Sequence, residues 1–160
     1  MDEDKRRELL DSEDAALKDV GGVLQAMETI TEYRPFEVVR NGKKLFTFRV
    51  RGLDDEELDR CRDQATKVVR NRRMGGLAVP GDFNSAKYNS LLIYTATHSD
   101  DRKWLWDNKE LWQRADVTTG WMLVDRILRR GEKDAVIGLI EELSGYSEDG
   151  ESAEETLKNS

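Results

Sequence analysis

The segment from Lys103 to Tyr146 constrains the fold more than any other part of this chain. It contains all four tryptophans and two runs of apolar residues with helical spacing. The apolar positions of the two runs are Trp121, Val124, Ile127 and Leu128, followed by Val136, Leu139, Ile140 and Leu143. Residues at these intervals share one face of a helix. Because neither short helix can bury its apolar face alone, we predict an αα-hairpin packed on itself and on the tryptophan-rich segment before it.

Glycines mark where these two helices are expected to end. Gly131 follows Arg129 and Arg130, an order typical of a glycine cap after cationic residues. Gly145 follows the second apolar run in the same way. We therefore predict that the first helix ends at Gly131 and the second at Gly145.

Acidic residues are concentrated at the two ends of the chain. The net charge is −7; residues 1–14 hold seven acidic and three basic side chains, and residues 147–160 hold five acidic and one basic. The part between them is therefore close to neutral. The low isoelectric point says little about what the middle of the chain binds.

The length of 160 residues suits one domain. We predict an acidic, partly flexible arm over residues 1–33, where Gly21-Gly22 interrupts a helix-like spacing. A single globular domain is predicted over residues 34–146, and a disordered acidic tail over residues 147–160.

Composition also indicates where such a chain works. Its single cysteine cannot form an internal disulfide, which is typical of a reducing cytosol. No apolar run approaches the roughly 20 residues of a membrane span, and the first residues lack the apolar core of a signal peptide. We therefore expect a cytoplasmic protein without a membrane contact.

The segments before the tryptophans predict the remaining elements. Residues 36–51 are rich in β-branched and aromatic side chains around Asn41-Gly42, which predicts a β-hairpin with a type I′ turn. A helix is predicted from Asp54 to Arg73, then a loop over residues 74–83 and a helix over residues 84–97. The predicted fold class is α+β and mostly α-helical, with an N-terminal β-hairpin followed by a bundle of four or five short helices.

No set of residues predicts a catalytic, cofactor or metal site. Cys61 and His98 occur once each, so they provide no spacing typical of a Cys–His pair and too few ligands for tetrahedral zinc. Cys61 falls on the apolar face of its predicted helix and is expected in the core. We expect a protein that is not an enzyme and needs no cofactor.

A basic cluster supports an alternative function. Its residues are Arg60, Arg62, Lys67, Arg70, Arg72 and Arg73. On one helix they could contact nucleic acid, as in a small nucleic-acid-binding or regulatory protein. The same helix carries many acidic residues, so a solvated helix end whose charges match the helix dipole is the simpler interpretation.

The tryptophans have two interpretations as well. They are Trp104, Trp106, Trp112 and Trp121. They can form the core, or they can be anchors for a protein partner, because tryptophan is enriched in binding hot spots. Trp104 and Trp106 would point in nearly opposite directions on a helix, so they share one core only if the segment is irregular or one of them is exposed.

Four short motifs carry a family resemblance. They are FRVRGL at Phe48–Leu53, WDNKELW at Trp106–Trp112, GEK at Gly131–Lys133 and LSG at Leu143–Gly145. With their flanking segments they resemble the XkdN-like tail assembly chaperones of contractile-tailed phages and PBSX-type prophages. The resemblance covers roughly residues 34 to 146. None of the four is a catalytic motif.

The resemblance implies a function and partners. Such chaperones bind the tape measure protein in the host cytoplasm, keep it soluble and help recruit tail tube subunits. They are absent from the mature virion. The tape measure protein is then the expected partner, with the tail tube protein as a second, and self-association stays open. The four tryptophans are our candidate partner-binding residues.

Overall fold

The computed structural model describes residues 3–7, 18–28 and 32–145. The chain divides into two compact units, Met1–Glu32 and Tyr33–Ser160. In the first unit, residues 3–7 are helical and helix α1 spans Val20–Glu28. Gly21 and Gly22 lie in its first turn, and the Gly21 N–H donates to the Asp19 carboxylate over 3.0 Å. The glycine pair therefore begins a helix instead of breaking one, because first-turn N–H groups need no acceptor within the helix.

The second unit contains two β-hairpins and a series of helices. Its elements are β1 (Tyr33–Arg40), β2 (Lys43–Arg51), α2 (Asp55–Ala65), β3 (Thr66–Asn71), β4 (Leu77–Phe83), α3 (Ser85–Ala96), α4 (Ser99–Asp101), α5 (Lys109–Ala115), α6 (Gly120–Ile127) and α7 (Arg130–Leu143). A 3₁₀ turn, Arg72–Met74, connects β3 to β4, and a π-helical turn, Arg102–Trp106, follows α4. The predicted tail over residues 147–160 lies outside the described residues.

The first hairpin forms, but the predicted fold class is wrong. Strands β1 and β2 pair antiparallel across Asn41 and Gly42, whose φ angles of 55° and 74° are those of a type I′ turn. Helices come before this hairpin, so it is not N-terminal, and a second two-stranded sheet follows it. The described residues are roughly 59% helical and 24% strand, so strands contribute more than one hairpin provides.

The second hairpin replaces the end of a predicted helix. The capping box at Asp54 is present, since its carboxylate accepts from the Glu57 N–H over 2.8 Å. The helix nevertheless ends at Ala65, and the chain continues as β3, paired with β4. The predicted helix from Asp54 to Arg73 is therefore wrong beyond Ala65, and the predicted loop over residues 74–83 is wrong because most of it is β4. The β-branched residues of β3 favour a strand, and Gly75 and Gly76, with φ of 70° and 82°, allow the reversal.

Helix α3 lies at the centre of the core. Helices α2, α6 and α7 all pack against it, and its Ile93 and Ala96 are fully buried. The prediction of an αα-hairpin packed on itself is therefore wrong, because α6 and α7 lie mainly against α3 instead of against each other. Gly131 is no helix end, since it lies in the first turn of α7. Gly145 does end α7, with φ of 107° and its N–H donating to the Glu142 carbonyl.

Candidate partner-binding surfaces

Trp106 is part of the core. Its exposed fraction is 0%, and its ring meets Phe48 edge-on with ring centroids 5.3 Å apart. The indole Nε1 donates to the Thr97 hydroxyl over 3.0 Å, and that hydroxyl donates to the Ile93 carbonyl over 2.6 Å. The indole thus fastens the π turn to the end of α3 and to the first hairpin.

Trp104, two residues earlier, points the other way. Its exposed fraction is 46%, and its Nε1 donates to the Asp101 carboxylate over 3.2 Å. The backbone between them is π-helical, with the Asp107 N–H donating to the Arg102 carbonyl over 2.7 Å. The spacing of the two tryptophans predicts these opposed directions. It also predicts that either the segment is irregular or one ring is exposed, and the structure shows both.

The other two tryptophans are half-buried beneath lysines. Trp112 donates from Nε1 to the Trp106 carbonyl over 2.6 Å, and Lys109 Nζ lies 3.5 Å from its ring centroid. Lys87 Nζ lies 5.1 Å from the ring centroid of Trp121. Because Trp106 has no exposed area, the four indoles do not line one groove in this conformation. Of the four tryptophans, Trp104 is the exposed one.

Trp104 belongs to a connected surface patch. This Trp104 patch consists of Tyr33, Arg49, His98, Asp101 and Trp104. The Asp101 carboxylate accepts from the Arg49 N–H over 2.8 Å and from the Arg49 guanidinium over 3.0 and 3.2 Å. Tyr33 meets the His98 ring edge-on at 4.7 Å. Aromatic rings and an arginine held in place by one carboxylate are suited to a protein partner.

The charge at Asp101 is stabilised where it lies. Burial by itself would raise the pKa of Asp101, but the hydrogen bonds from the Arg49 side chain, the Arg49 N–H and Trp104 outweigh burial. The pKa of Asp101 therefore lies below its usual value, and the carboxylate is ionised at neutral pH. It holds Arg49 and Trp104 in fixed positions.

A second surface lies on the β3–β4 hairpin. Exposed fractions are 66% for Val68, 47% for Val69, 62% for Leu77 and 49% for Phe83. Sequence reasoning missed this surface because it assigned these residues to a helix and a loop. The signal was present in the chain, as two short apolar runs separated by Gly75-Gly76.

The six basic candidates do not lie on one helix. Arg60 and Arg62 belong to α2, Lys67 and Arg70 to β3, and the last two, Arg72 and Arg73, to the 3₁₀ turn. All six are exposed. The predicted basic helix is therefore divided between a helix and a hairpin.

The two candidate reactive residues are apart and differently placed. Cys61 is buried, with Sγ 3.6 Å from the Thr95 hydroxyl oxygen, and burial raises the pKa of its thiol. His98 caps α4, accepting from the Asp100 N–H over 3.1 Å.

Among the described residues no group of His, Cys, Asp or Glu is arranged to hold a metal ion. The described helices also include none that is long and apolar enough to cross a membrane.

The four motifs of the resemblance all make structural contacts. In GEK, Glu132 accepts from the Arg40 guanidinium over 2.7 and 3.0 Å, and Lys133 pairs with Asp125. Comparison with protein families shows a match to the model of the phage XkdN-like tail assembly chaperone protein over residues 23–158. The chain belongs to the XkdN-like tail assembly chaperone family. Neither the curated proteins nor the solved structures gave a match.

Family membership fits the exposed aromatic and apolar side chains of these two surfaces. A tail assembly chaperone has protein partners in the tail, and aromatic residues are enriched in surfaces that bind proteins. The match begins within α1, earlier than the resemblance, which starts near residue 34. The family therefore includes part of the predicted N-terminal arm.

Proposed function

We propose that this chaperone binds the tape measure protein of its phage or prophage, keeps it soluble and helps recruit tail tube subunits. It works in the bacterial host cytoplasm without catalysing a reaction, and it leaves before the virion is complete. The observation that carries the proposal is the family match over residues 23–158.

The geometry supports a client-binding role. Ile93 and Ala96 of α3 are fully buried, yet Trp104 and the β3–β4 hairpin keep large apolar side chains in contact with water. Exposed apolar surface of this kind marks interaction sites. Trp104 is the most exposed of the four tryptophans, Trp112 and Trp121 are partly accessible, and Trp106 is buried.

Co-expression with the tape measure protein of the same genome tests the proposal. We expect a client that is insoluble alone and soluble with the chaperone, and size-exclusion chromatography with light scattering gives the stoichiometry. A client that stays insoluble beside a folded chaperone contradicts the proposal.

A matched pair of variants tests the surface. Trp104→Ala should leave the fold intact and weaken the complex, whereas Val39→Ala removes a side chain of similar exposure, 49%, on the first hairpin. Equal complex yield from both variants would show that Trp104 is not a client contact.

One observation favours a second candidate function. All six basic candidates are exposed, and lysines and arginines on a hairpin can contact phosphates. A small nucleic-acid-binding phage protein would be retained on DNA with steep salt dependence. Retention on DNA is measured for the wild type and for Arg70→Glu at rising salt concentration. If both lose retention at the same salt concentration, the result argues against nucleic-acid binding by these residues.

A further inference from the structure

The β3–β4 hairpin is open on both faces. The register places two cross-strand pairs on each face. On one face they are Val69 with Val79 and Asn71 with Leu77. On the other face they are Val68 with Pro80 and Arg70 with Ala78. In each pair the apolar members are exposed or only half-buried. A lone two-stranded hairpin is marginally stable in water unless something packs on it.

The hairpin also differs in charge from the rest of the chain. Residues 66–83 hold four basic side chains and one acidic, Asp82, in a chain whose net charge is −7. The basic residues are Lys67, Arg70, Arg72 and Arg73, all exposed. Within the described residues none of them forms an ion pair. A partner that brings carboxylates would therefore gain both attraction and orientation.

We infer that the β3–β4 hairpin is a docking surface for a polypeptide segment of the client that combines apolar and acidic side chains. The apolar faces supply contact area, and the four cations select the charge of the segment. A second copy of this hairpin fits poorly, because two such hairpins would bring like charges together. The identity of the client rests on the proposed function, but the chemistry of the surface does not.

A pair of labelled peptides tests that chemistry without the client. One contains leucine, valine and glutamate; its twin has lysine in place of each glutamate. By fluorescence anisotropy we expect the glutamate peptide to bind the full chain and the lysine peptide to bind at least about tenfold more weakly, the size of a hot-spot effect. Equal binding of the two, or no binding of either, overturns the inference.

Matched variants locate the binding. Val69→Ser should weaken binding of the glutamate peptide about tenfold, and Val39→Ser, at nearly the same exposure of 49%, should not. Arg70→Glu should reduce the preference for the glutamate peptide, whereas Arg126→Glu on α6 should leave it unchanged. Effects as large in the control variants would place the peptide elsewhere and overturn the inference. Circular dichroism of each variant excludes unfolding as the cause.

A photo-crosslinker identifies the occupant in the complex. Leu77→p-benzoylphenylalanine is introduced at the exposed tip side of β4, and the chain is co-expressed with the tape measure protein. Crosslinks to an acidic, apolar segment of the client support the inference. Crosslinks to a second copy, to the acidic residues 1–14 or 147–160 of the same chain, or to nucleic acid overturn it. Failure of the proposed function is distinguishable, since the client would then stay insoluble while the glutamate peptide still binds.

Discussion

Gly52 lies so close to the last turn of α7 that a Cβ atom at position 52 would be 2.5 Å from the Leu143 carbonyl oxygen. The Leu53 N–H beside it donates to the Ser144 hydroxyl over 2.9 Å. Two motifs of the family resemblance, FRVRGL and LSG, are therefore in direct contact. This contact holds the end of the first hairpin against the end of the last helix.

Gly52→Ala should destabilise the protein by about 1–3 kcal/mol, because the new methyl group must displace the backbone of α7. Gly138→Ala is the matched control, since nothing lies within 4 Å of a Cβ there. In the helix interior it should stabilise by about 0.5–1 kcal/mol. Urea unfolding measures both, and equal midpoints for the two variants would contradict the close contact.

Trp106→Ala should cost about 3–5 kcal/mol, the range for truncating a buried tryptophan. It removes the contacts with Phe48 and leaves the Thr97 hydroxyl without its donor. Trp104→Ala should cost less, about 1–2 kcal/mol, because the side chain is 46% exposed and gives up one hydrogen bond to the Asp101 carboxylate. Thermal unfolding followed by circular dichroism separates them, and a Trp106→Ala protein as stable as the wild type would refute the core assignment.

Asp101 should contribute to stability at neutral pH and less in acid. Its pKa is lower in the folded chain than in the unfolded chain. The contribution is therefore fully present above the unfolded value, roughly 3.9 for aspartate, and is lost as the pH falls through the folded pKa. Asp101→Asn should be less stable than the wild type at pH 7, and the difference should shrink below about pH 4.

Urea unfolding across this pH range checks the Asp101 prediction. Asp59→Asn, at an exposed position of α2, is the control and should follow the wild type throughout. A stability difference between Asp101→Asn and the wild type that stays constant from neutral to acid would show that the carboxylate charge is not the cause.

Cys61 should react slowly with thiol reagents in the native chain. Burial raises the pKa of its thiol, so less thiolate is present at neutral pH, and the reagent has no access. A chromogenic disulfide reagent should react at least about tenfold faster after urea unfolding, because the thiolate is the reacting species. Rapid labelling of Cys61 in the folded chain would instead indicate a reactive cysteine, and would then be a reason to test for an enzymatic function.

Local sequence determined the elements whose signals are complete within a few residues. Asn41-Gly42 specifies the turn of the first hairpin, Asp54 with Glu57 begins α2, and Gly145 ends α7. The opposed directions of Trp104 and Trp106 also follow from spacing alone. Each of these depends on backbone geometry or on a hydrogen bond within one turn, so no distant partner is needed.

Only the tertiary structure decided the rest, because the deciding partners are far apart in the chain. Residues 66–71 carry charges typical of a helix end, yet pairing with β4 makes them a strand, and that pairing is invisible to a helical pattern. Which opposed indole is buried depends on Phe48, which comes from the first hairpin. Burial and strand pairing are gained only when the folded chain brings such segments together, so local propensity is overridden there.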